Sequence, residues 1–444
     1  MARYFGTDGI RGVALKELTV ETAYRIGRYI GQYPDGKGNR ILISRDTRES
    51  GEALLRALCE GIVASGGRVY DEGISTTPSV SYLVETLHFD YGIMISASHN
   101  PYADNGIKLF ESSGEKLSEQ IEEKIEDYID SPSDYLPKKE GQYLFSPSLK
   151  QRYVDWLISK YEGKTPVKVV LDCANGSASY VAPELFARLG IEAKLLSCAP
   201  DGRNINAGCG STHLDNLSKA MESGEFDIGF AFDGDADRCL AIDRSGRVID
   251  GDAAIFLGAL SLRGKGLLSQ GKVVITVMSN FGLRKALQEE GIGYEIVSVG
   301  DKYVQAKLKE DGLSIGGEQS GHVIFASDLN TGDGLLTALR ILGIYASEKS
   351  VYAKLSDLKV YPQTLVNIRF NSRKEALDAL NSDQVKEQIR SAESALSSSG
   401  RLLVRTSGTE PLVRVMAECL DEELCQRQVN GIVAKIKESK ECVE

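Results

Sequence analysis

The same succession of apolar and amphipathic stretches occurs three times in this chain of 444 residues. An apolar run ends in a polar turn, a stretch with apolar residues three and four positions apart follows, and a second apolar run closes the unit. Residues 168–197 and 272–299 show the pattern most clearly, and a longer version begins at 40–46. Because a strand-helix-strand succession places its two strands parallel in one sheet, an α/β fold with mixed, mainly parallel sheets is predicted. The three copies are too different in sequence to prove a duplication.

The C-terminal part has another pattern. After a linker-like segment at 355–365 come a strand, a helix from about Asp383, two strands around RTSGTEP and a final amphipathic helix. This order predicts a smaller α+β domain. We therefore expect three related α/β domains and this fourth one. Their expected bounds are 1–150, 151–253, 254–362 and 363–444.

Composition removes several classes of function. The net charge of −11, without a basic cluster, argues against a nucleic-acid partner. No apolar run approaches the roughly 20 residues that a membrane-spanning helix needs. The opening, MARYFGTDGIRG, lacks the layout of a signal peptide, so a cytoplasmic location is expected. The eight cysteines form no CxxC pair, which favours reduced, buried thiols over a metal or redox role.

The first stretch with chemical potential is the serine loop, residues 96–101 (SASHNP), which ends an apolar run. It holds Ser98 and His99, and Lys108 lies in the next apolar run. A strand end that carries serine, histidine and lysine together is where α/β proteins keep their chemistry. An ordinary polar loop explains these residues equally well.

The aspartate loop, residues 233–238 (DGDADR), places Asp233, Asp235 and Asp237 at alternate positions between two apolar runs. Three carboxylates so close repel one another, and a hard divalent cation is the simplest compensation. An EF-hand is excluded, because Arg238 and Arg244 stand where glycine and glutamate are needed. The spacing suits Mg²⁺, while a solvated acidic turn is the alternative.

Two further loops carry polar residues around glycine. The arginine loop, residues 405–411 (RTSGTEP), brings the hydroxyls of Ser407 and Thr409 together with the guanidinium groups of Arg405 and Arg414, as a phosphate monoester requires. A hairpin explains its glycine and proline but not its arginines. The glutamate loop, residues 317–322 (GEQSGH), lacks the layout of a nucleotide P-loop, and a plain β-turn is an equally good interpretation.

Taken together, the serine, aspartate, glutamate and arginine loops resemble the α-D-phosphohexomutase superfamily, in the order and over the length typical of it. The resemblance implies that Ser98 carries a phosphoryl group, as a phosphoserine, and binds Mg²⁺ together with Asp233, Asp235 and Asp237. It assigns the remaining residues to substrate: Glu318 and Ser320 to the sugar hydroxyls, and Arg405, Ser407, Gly408, Thr409 and Arg414 to the non-reacting phosphate. Further residues match active-site positions near the transferred group, namely Arg11, His99, Lys108, Arg238 and His322.

Within the superfamily, the opening RYFGTDGIRG and the forms SASHNP and GEQSGH resemble the members that act on glucosamine phosphates. The forms TASHNP and GEMSGH are typical of phosphomannomutases and phosphoglucomutases. The resemblance implies interconversion of glucosamine 6-phosphate and glucosamine 1-phosphate through a 1,6-bisphosphate, on the route to UDP-N-acetylglucosamine and the bacterial cell wall. It also implies that the four domains surround a central active-site cleft, that the fourth domain is mobile and that the protein is a homodimer.

Two residues depart from the superfamily pattern. Lys302 replaces the usual arginine, and Ala236 stands where glycine is also common, a change expected to be harmless. Three other functions stay open: a phosphomannomutase or phosphoglucomutase on the same scaffold, a phosphatase, and a non-catalytic sugar-phosphate binder. The intact Ser98 and aspartates argue against the binder, which needs neither.

Overall fold

The computed structural model of the chain describes residues 3–6, 8–32, 39–132, 141–397, 399–407 and 411–441. It divides into two compact units. Unit 1 comprises residues 1–278 and 292–355, and unit 2 comprises residues 279–291 and 356–444. Among the described residues, no helix combines the length and the apolar character needed to cross a membrane.

The first sheet of unit 1 has seven strands in the order β1-β2-β6-β5-β3-β4-β7. Its strands are β1 (Phe5–Gly6), β2 (Gly9–Val13), β3 (Arg40–Arg45), β4 (Arg68–Ile74), β5 (Tyr91–Ile95), β6 (Asp104–Glu111) and β7 (Gln142–Phe145). Its helices are α1 (Val20–Gly31), α2 (Gly51–Ala64), α3 (Thr77–Leu87) and α4 (Glu119–Asp130). The strands β5, β3, β4 and β7 run parallel, whereas β6 pairs antiparallel with β5 and β2.

The second sheet has five strands in the order β12-β11-β10-β8-β9. Its strands are β8 (Lys168–Asp172), β9 (Glu192–Leu196), β10 (Ile228–Phe232), β11 (Cys239–Asp243) and β12 (Val248–Ile249). The helices of this part are α5 (Leu149–Lys160), α6 (Ala182–Arg188) and α7 (Asp215–Met221). β10 is buried along its whole length, as its sequence IGFAF predicts, and forms an antiparallel hairpin with β11.

The third sheet of unit 1 has four strands in the order β14-β13-β15-β16. Its strands are β13 (Lys272–Thr276), β14 (Gly293–Val297), β15 (Ile315–Gly317) and β16 (Val323–Phe325). The helices of this part are α8 (Gly251–Gly264), α10 (Asp301–Asp311), α11 (Gly334–Ser347) and α12 (Lys349–Ala353). Asp250 caps α8 by accepting from the Ala253 N–H at 3.0 Å, so this helix runs across the expected boundary at 253/254.

Unit 2 contains a three-stranded antiparallel sheet in the order β17-β19-β18. Its strands are β17 (Gln363–Arg369), β18 (Gly400–Thr406) and β19 (Leu412–Cys419). Its helices are α9 (Phe281–Glu289), α13 (Arg373–Asn381), α14 (Asp383–Leu396) and α15 (Glu422–Glu441). Four short 3₁₀ segments complete the described elements of both units: Ser177–Tyr180, Gly210–Thr212, Ser269–Gly271 and Lys354–Ser356. The α/β fold with a smaller α+β part is confirmed.

Helix α9 comes from the middle of the chain but packs within unit 2. The N–H of Phe281 at its start donates to the buried carboxylate of Glu418 at 2.8 Å. Asn280 exchanges two side-chain hydrogen bonds with the backbone of Tyr361, at 3.0 and 2.9 Å. The same unit contains a disulfide between Cys419 and Cys425, so the expectation of reduced cysteines is wrong for this pair. Their Cα atoms lie 6.0 Å apart, and the expectation failed because their spacing of six residues carries no sequence signal.

Candidate active site

Ser98 lies in the turn between β5 and β6, at the carboxyl end of a parallel strand. Its φ is +52°, in the left-handed region that a non-glycine residue enters only when its surroundings hold it there. The residue is buried, and its Oγ donates to Asp233 Oδ2 at 2.5 Å. The N–H of Ser98 donates to Ser96 Oγ at 2.9 Å. The serine hydroxyl is therefore fixed against the aspartate loop.

The aspartate loop connects β10 to β11 and places its three carboxylates side by side. One oxygen from each of Asp233, Asp235 and Asp237 lies within 4.8 Å of the others, and all three residues are buried. A Cβ at Gly234 would lie 2.5 Å from the Ser98 carbonyl oxygen, so only glycine permits this approach of the two loops. The N–H of Thr77 donates to the Asp235 carbonyl at 3.0 Å and fixes the loop against α3.

This carboxylate cluster has the donors of a cation site. Asp235 Oδ1 and Asp237 Oδ1 are buried without a hydrogen-bond partner in the described part of the chain. A buried carboxylate oxygen without a partner is costly, and an oxygen-liganded metal ion removes that cost. Burial, followed by the charges of Asp237 and Asp235, raises the pKa of Asp233 well above its usual range. The three aspartates with Ser98 Oγ could therefore hold a metal ion.

Lys108 is the cation closest to these carboxylates. It lies on β6, and its Nζ contacts Asp235 at 2.7 Å, Asp8 at 2.9 Å and Asp237 at 3.2 Å. Burial opposes its charge, but Asp235, Asp8 and Asp237 together raise its pKa well above the usual lysine value. Lys108 is thus a permanent positive charge beside the aspartate loop, to which the Ser98 hydroxyl also donates.

The cluster continues through residues that the sequence did not single out. Asp8 forms ion pairs with Lys116 at 2.5 Å and with Arg11. Lys116 also pairs with Asp301. Burial opposes the charge of Asp8, but Lys108, Lys116 and Arg11 hold its pKa well below the usual range. Asp8 was detectable only as the other charged residue of the GTDGIRG turn, and Lys116 and Asp301 have no sequence signal.

The two histidines have different surroundings. Burial, then the charges of Arg238 and Arg11, lower the pKa of His99 to about 4, so its ring is neutral at pH 7. Its Nδ1 lies 3.4 Å from Ser98 Oγ. His322 is buried, and the N–H of Gly332 donates to its Nε2 at 3.1 Å, which favours the tautomer protonated at Nδ1. That nitrogen lies 3.8 Å from Asp237.

A cavity of about 800 Å³ opens within unit 1 beside these groups. The glutamate loop, a tight turn between β15 and β16, contributes Glu318, Ser320 and His322 to its wall. The N–H of Gly300 donates to Glu318 Oε1 at 3.0 Å. The other sequence-predicted residues on the wall are Arg11, His99, Asp237 and Arg238. A sugar phosphate is of a size that such a cavity accommodates.

The arginine loop lies in unit 2, between β18 and β19. Arg405 and Arg414 are directly opposite each other on these antiparallel strands. Burial, then the charge of Arg414, lower the pKa of Arg405, and no described carboxylate forms an ion pair with either arginine. Like charges in this position repel, and a bound anion relieves the repulsion. Ser407 is buried next to them, whereas Gly408 and Thr409 lie outside the described residues.

The two departures from the superfamily pattern have separate outcomes. Lys302 lies at the start of α10, where its Nζ contacts Glu119 at 3.2 Å, so it makes an ion pair with α4 as a single point charge. Ala236 has a φ of +57° inside the aspartate loop. An alanine is less favourable than a glycine in this conformation, so the residue carries a small conformational cost, and the expectation that Ala236 is harmless stays a prediction.

Comparison with known families covers almost the whole chain. The models for the phosphoglucomutase/phosphomannomutase α/β/α domains I, II and III match residues 2–136, 151–246 and 250–361. The model for the C-terminal domain of the same family matches residues 365–435. The chain therefore belongs to the phosphoglucomutase/phosphomannomutase family.

Within this family, the chain is similar to curated phosphoglucosamine mutases. It is 44% identical over 451 residues to that of Lachnospira eligens, covering 98% of this chain and 99% of the relative. It is 46% identical over 451 residues to that of Caldicellulosiruptor bescii, again covering 98% and 99%. A phosphoglucomutase/phosphomannomutase family protein from Burkholderia thailandensis superposes with a TM-score of 0.84 at 27% identity, over 99% of this chain and 98% of that one. The resemblance drawn from the four loops is confirmed.

Proposed function

We propose that the chain is an isomerase that interconverts glucosamine 6-phosphate and glucosamine 1-phosphate, in the synthesis of UDP-N-acetylglucosamine. Its similarity to phosphoglucosamine mutases over the whole length supports this substrate. One geometric observation carries the reaction type: the Ser98 hydroxyl donates to Asp233 of a buried aspartate triad at 2.5 Å, and buried Lys108 contacts the other two aspartates of that triad. A simple binder has no use for this arrangement.

In the proposed reaction Ser98 carries a phosphoryl group. The Oγ–phosphorus bond of phosphoserine 98 breaks as a free sugar hydroxyl forms the new oxygen–phosphorus bond, which yields a 1,6-bisphosphate and a free serine. The bisphosphate turns over, and the bond between its other phosphoryl group and the sugar oxygen breaks as Ser98 Oγ forms a new bond to phosphorus, which regenerates phosphoserine 98 and releases the isomeric sugar monophosphate. Phosphoryl transfer of this kind requires mainly positioning and charge neutralisation. Lys108 supplies a fixed positive charge for the transferring group.

We propose Mg²⁺ as the metal ion of the aspartate loop, because carboxylate and phosphate oxygens are its preferred ligands. Asp233, Asp235, Asp237 and Ser98 would hold it. When bound, it withdraws charge from the transferring phosphoryl group. The neutral ring of His99 is placed to accept a hydrogen bond from Ser98 Oγ or to donate one to it. Arg11, Arg238 and His322 line the same cavity as His99.

The remaining residues are proposed to bind the parts of the substrate that do not react. Glu318 and Ser320 face the cavity and offer an acceptor and a donor for sugar hydroxyls. Arg405, Arg414 and Ser407, with Gly408 and Thr409, are proposed to bind the non-reacting phosphate. The uncompensated charge of the two arginines supports this role. The four-domain division, the cytoplasmic location, the homodimer and the movement of the fourth domain stay predictions.

The test is a side-by-side assay of protein phosphorylated at Ser98, with glucosamine 6-phosphate, mannose 6-phosphate and glucose 6-phosphate as substrates. We expect a clear preference in kcat/KM for the glucosamine substrate. Equal or better activity with the other two would replace the proposal with a phosphomannomutase or phosphoglucomutase. Accumulation of inorganic phosphate would instead indicate a phosphatase. Intact-mass measurement must show one phosphate on the wild type and none on Ser98→Ala, which must be inactive.

A further inference from the structure

Arg48 is fully buried directly beneath the serine loop. It follows β3 in the sequence RDTRES, and neither its side chain nor that of Asp46, its partner at 2.8 Å, is exposed. It is the largest fully buried side chain among the described residues. A buried guanidinium is retained only when every donor has a partner, and the partners of Arg48 lie in the serine loop and its continuation.

The guanidinium group binds this segment through carbonyl oxygens. One terminal nitrogen donates to the carbonyls of Ser98 at 2.8 Å and Asn100 at 2.9 Å. The other donates to the carbonyl of Asp104 at 3.0 Å and to that of Pro101. A planar fork with fixed directions thus gathers four carbonyl groups around one charge.

The nitrogen side of Ser98 is held by the same buried group. Asp46 Oδ2 accepts from Arg48 Nε and also from Ser96 Oγ, the latter at 2.6 Å. Ser96 Oγ in turn accepts from the N–H of Ser98 at 2.9 Å. Both backbone polar groups of Ser98 are therefore fixed by one hydrogen-bonded network. This network maintains the positive φ of Ser98, a conformation that a non-glycine residue rarely adopts without such support.

A second side chain supports the same carbonyls from the other side. Asn206 Nδ2 donates to the carbonyl oxygens of Ser98 at 2.9 Å and Asn100 at 3.1 Å. The N–H of Asn206 itself donates to the carbonyl of Ala174, just beyond the end of β8, at 2.9 Å. The Ser98 backbone is thus bound from two directions, and neither side chain reaches the cavity wall.

We propose that Arg48, with Asn206, is a positioning residue that sets the direction of Ser98 Oγ for phosphoryl transfer. The proposal rests on the function of Ser98 proposed above. It acts through the backbone: release of the carbonyls lets the turn relax toward a negative φ and swings Oγ away from Asp233. Because misplacement of a reacting group by about 1 Å can cost on the order of 100-fold in rate, the effect belongs in kcat. Substrate binding depends on other residues, so KM is expected to stay unchanged.

The experiment compares Arg48→Lys and Asn206→Ala with the wild type, each as full-length protein phosphorylated at Ser98. Lysine keeps the charge but loses the fork, and we expect kcat per phosphorylated enzyme to fall about 30- to 100-fold. For Asn206→Ala, which loses two hydrogen bonds, we expect about 5-fold. In both variants KM for glucosamine 6-phosphate should stay within 2-fold. Dephosphorylated enzyme should also accept phosphate from glucose 1,6-bisphosphate more slowly by the same factors, measured by intact mass.

The matched control is Arg203→Lys. Arg203 resembles Arg48 in binding a carboxylate, here that of Glu49 through two nitrogens at 2.7 and 3.0 Å, but it is exposed and does not contact the serine loop. The kcat and KM of Arg203→Lys should equal those of the wild type. If Arg48→Lys does not yield folded protein, Asn206→Ala decides.

Three results would overturn the inference: kcat per phosphorylated enzyme within 2-fold of wild type in the variants that fold, a loss that appears in KM instead, or a lowered melting temperature with unchanged kinetics. Failure of the proposed function is separate. In that case the wild type itself would show no phosphate on Ser98 or no mutase activity, whatever the variants do.

Discussion

The aspartate loop of unit 1 and the arginine loop of unit 2 both concentrate like charges, but they compensate them differently. In the aspartate loop, Asp235 and Asp237 are paired with Lys108, which is held in place by burial. In the arginine loop, Arg405 and Arg414 oppose each other without an ion-paired carboxylate among the described residues. The first loop is therefore organised before substrate arrives, while the second gains its compensation from the anion that it binds.

The largest expected effect is that of Lys108→Met, which removes the internal compensation of the aspartate loop. Because Asp8 and Asp235 are then left without their shared cation, we expect a loss of about 3–5 kcal/mol in the free energy of unfolding. The loss of a fixed charge at the reaction centre should lower kcat about 100- to 1000-fold. Lys309→Met, an exposed lysine paired with Glu115, is the control and should change neither quantity measurably. A variant with near-normal kcat would show that the pre-set charge is dispensable.

Glu72, also in unit 1, is a buried carboxylate whose charge is not paired with any described cation. It is fully buried, forms no ion pair among the described residues, and accepts from Ser79 Oγ at 2.6 Å. Burial raises its pKa to about 7. The folded state therefore binds the proton of Glu72 more tightly than the unfolded state does. The stability that protonated Glu72 contributes is fully present below about pH 4.5 and is lost as the pH rises toward 7.

The test is chemical denaturation of wild type and Glu72→Gln at pH 5 and pH 8. Between these pH values the free energy of unfolding should decrease by about 2–3 kcal/mol more in the wild type than in Glu72→Gln. Glu60→Gln, at an exposed position of α2, controls for the loss of one charge. Equal pH dependence in the wild type and in Glu72→Gln would mean that Glu72 stays ionised in the folded protein although no cation is paired with it.

In unit 2 the comparison predicts separate outcomes for two arginines of the same strand. Arg405→Gln should raise KM for glucosamine 6-phosphate about 10- to 100-fold, with kcat less affected, because one guanidinium of the proposed phosphate site is lost. Stability should stay the same or increase slightly, since Arg405 repels Arg414. Arg401→Gln is the matched variant. Arg401 is paired with buried Glu418 at 2.6 Å, so we expect its loss to lower stability and leave KM unchanged.

The smallest expected effect concerns the backbone of the aspartate loop. Ala236→Gly removes the cost of an alanine at φ +57° and should raise the free energy of unfolding by about 0.5 kcal/mol, or the melting temperature by about 1 °C. Ala187→Gly, in the exposed end of α6, should change stability in the opposite direction by a similar amount. A destabilised Ala236→Gly would show that the alanine methyl contributes packing that outweighs the strain.

The sequence predicts the fold where periodicity is strong and fails where it is weak. The strands β8, β10 and β13 were predictable because each is a continuous apolar run that does not fit a helical pattern. The helices between such strands were predictable from apolar residues spaced three and four positions apart. Helix α13 was missed because it is short and has only two buried residues, Ala376 and Ala379. That α9 packs within unit 2 depends on contacts far apart in the chain, which local patterns do not contain.

For the site, motif spacing identified the residues that carry the chemistry but not those that hold them. Ser98 and the aspartates stand out because polar residues interrupt apolar strands. Asp8 and Lys116, which complete the charge balance around Lys108, occur in turns where charged residues are ordinary. Arg48 carried a weak signal, since an aspartate and an arginine come shortly after Arg45, the last residue of the buried strand β3, yet surface loops show the same composition.

The insertion of α9 into unit 2 has a consequence for biosynthesis. Residues 279–291 leave the ribosome well before residues 356–444, with which they pack. Until β19 is synthesised, the carboxylate of Glu418 is not there to accept from the N–H of Phe281. Gly282 likewise cannot pack against the backbone of Lys359 until that residue has been made. Residues 279–291 therefore complete their packing only after the last fifth of the chain has been synthesised.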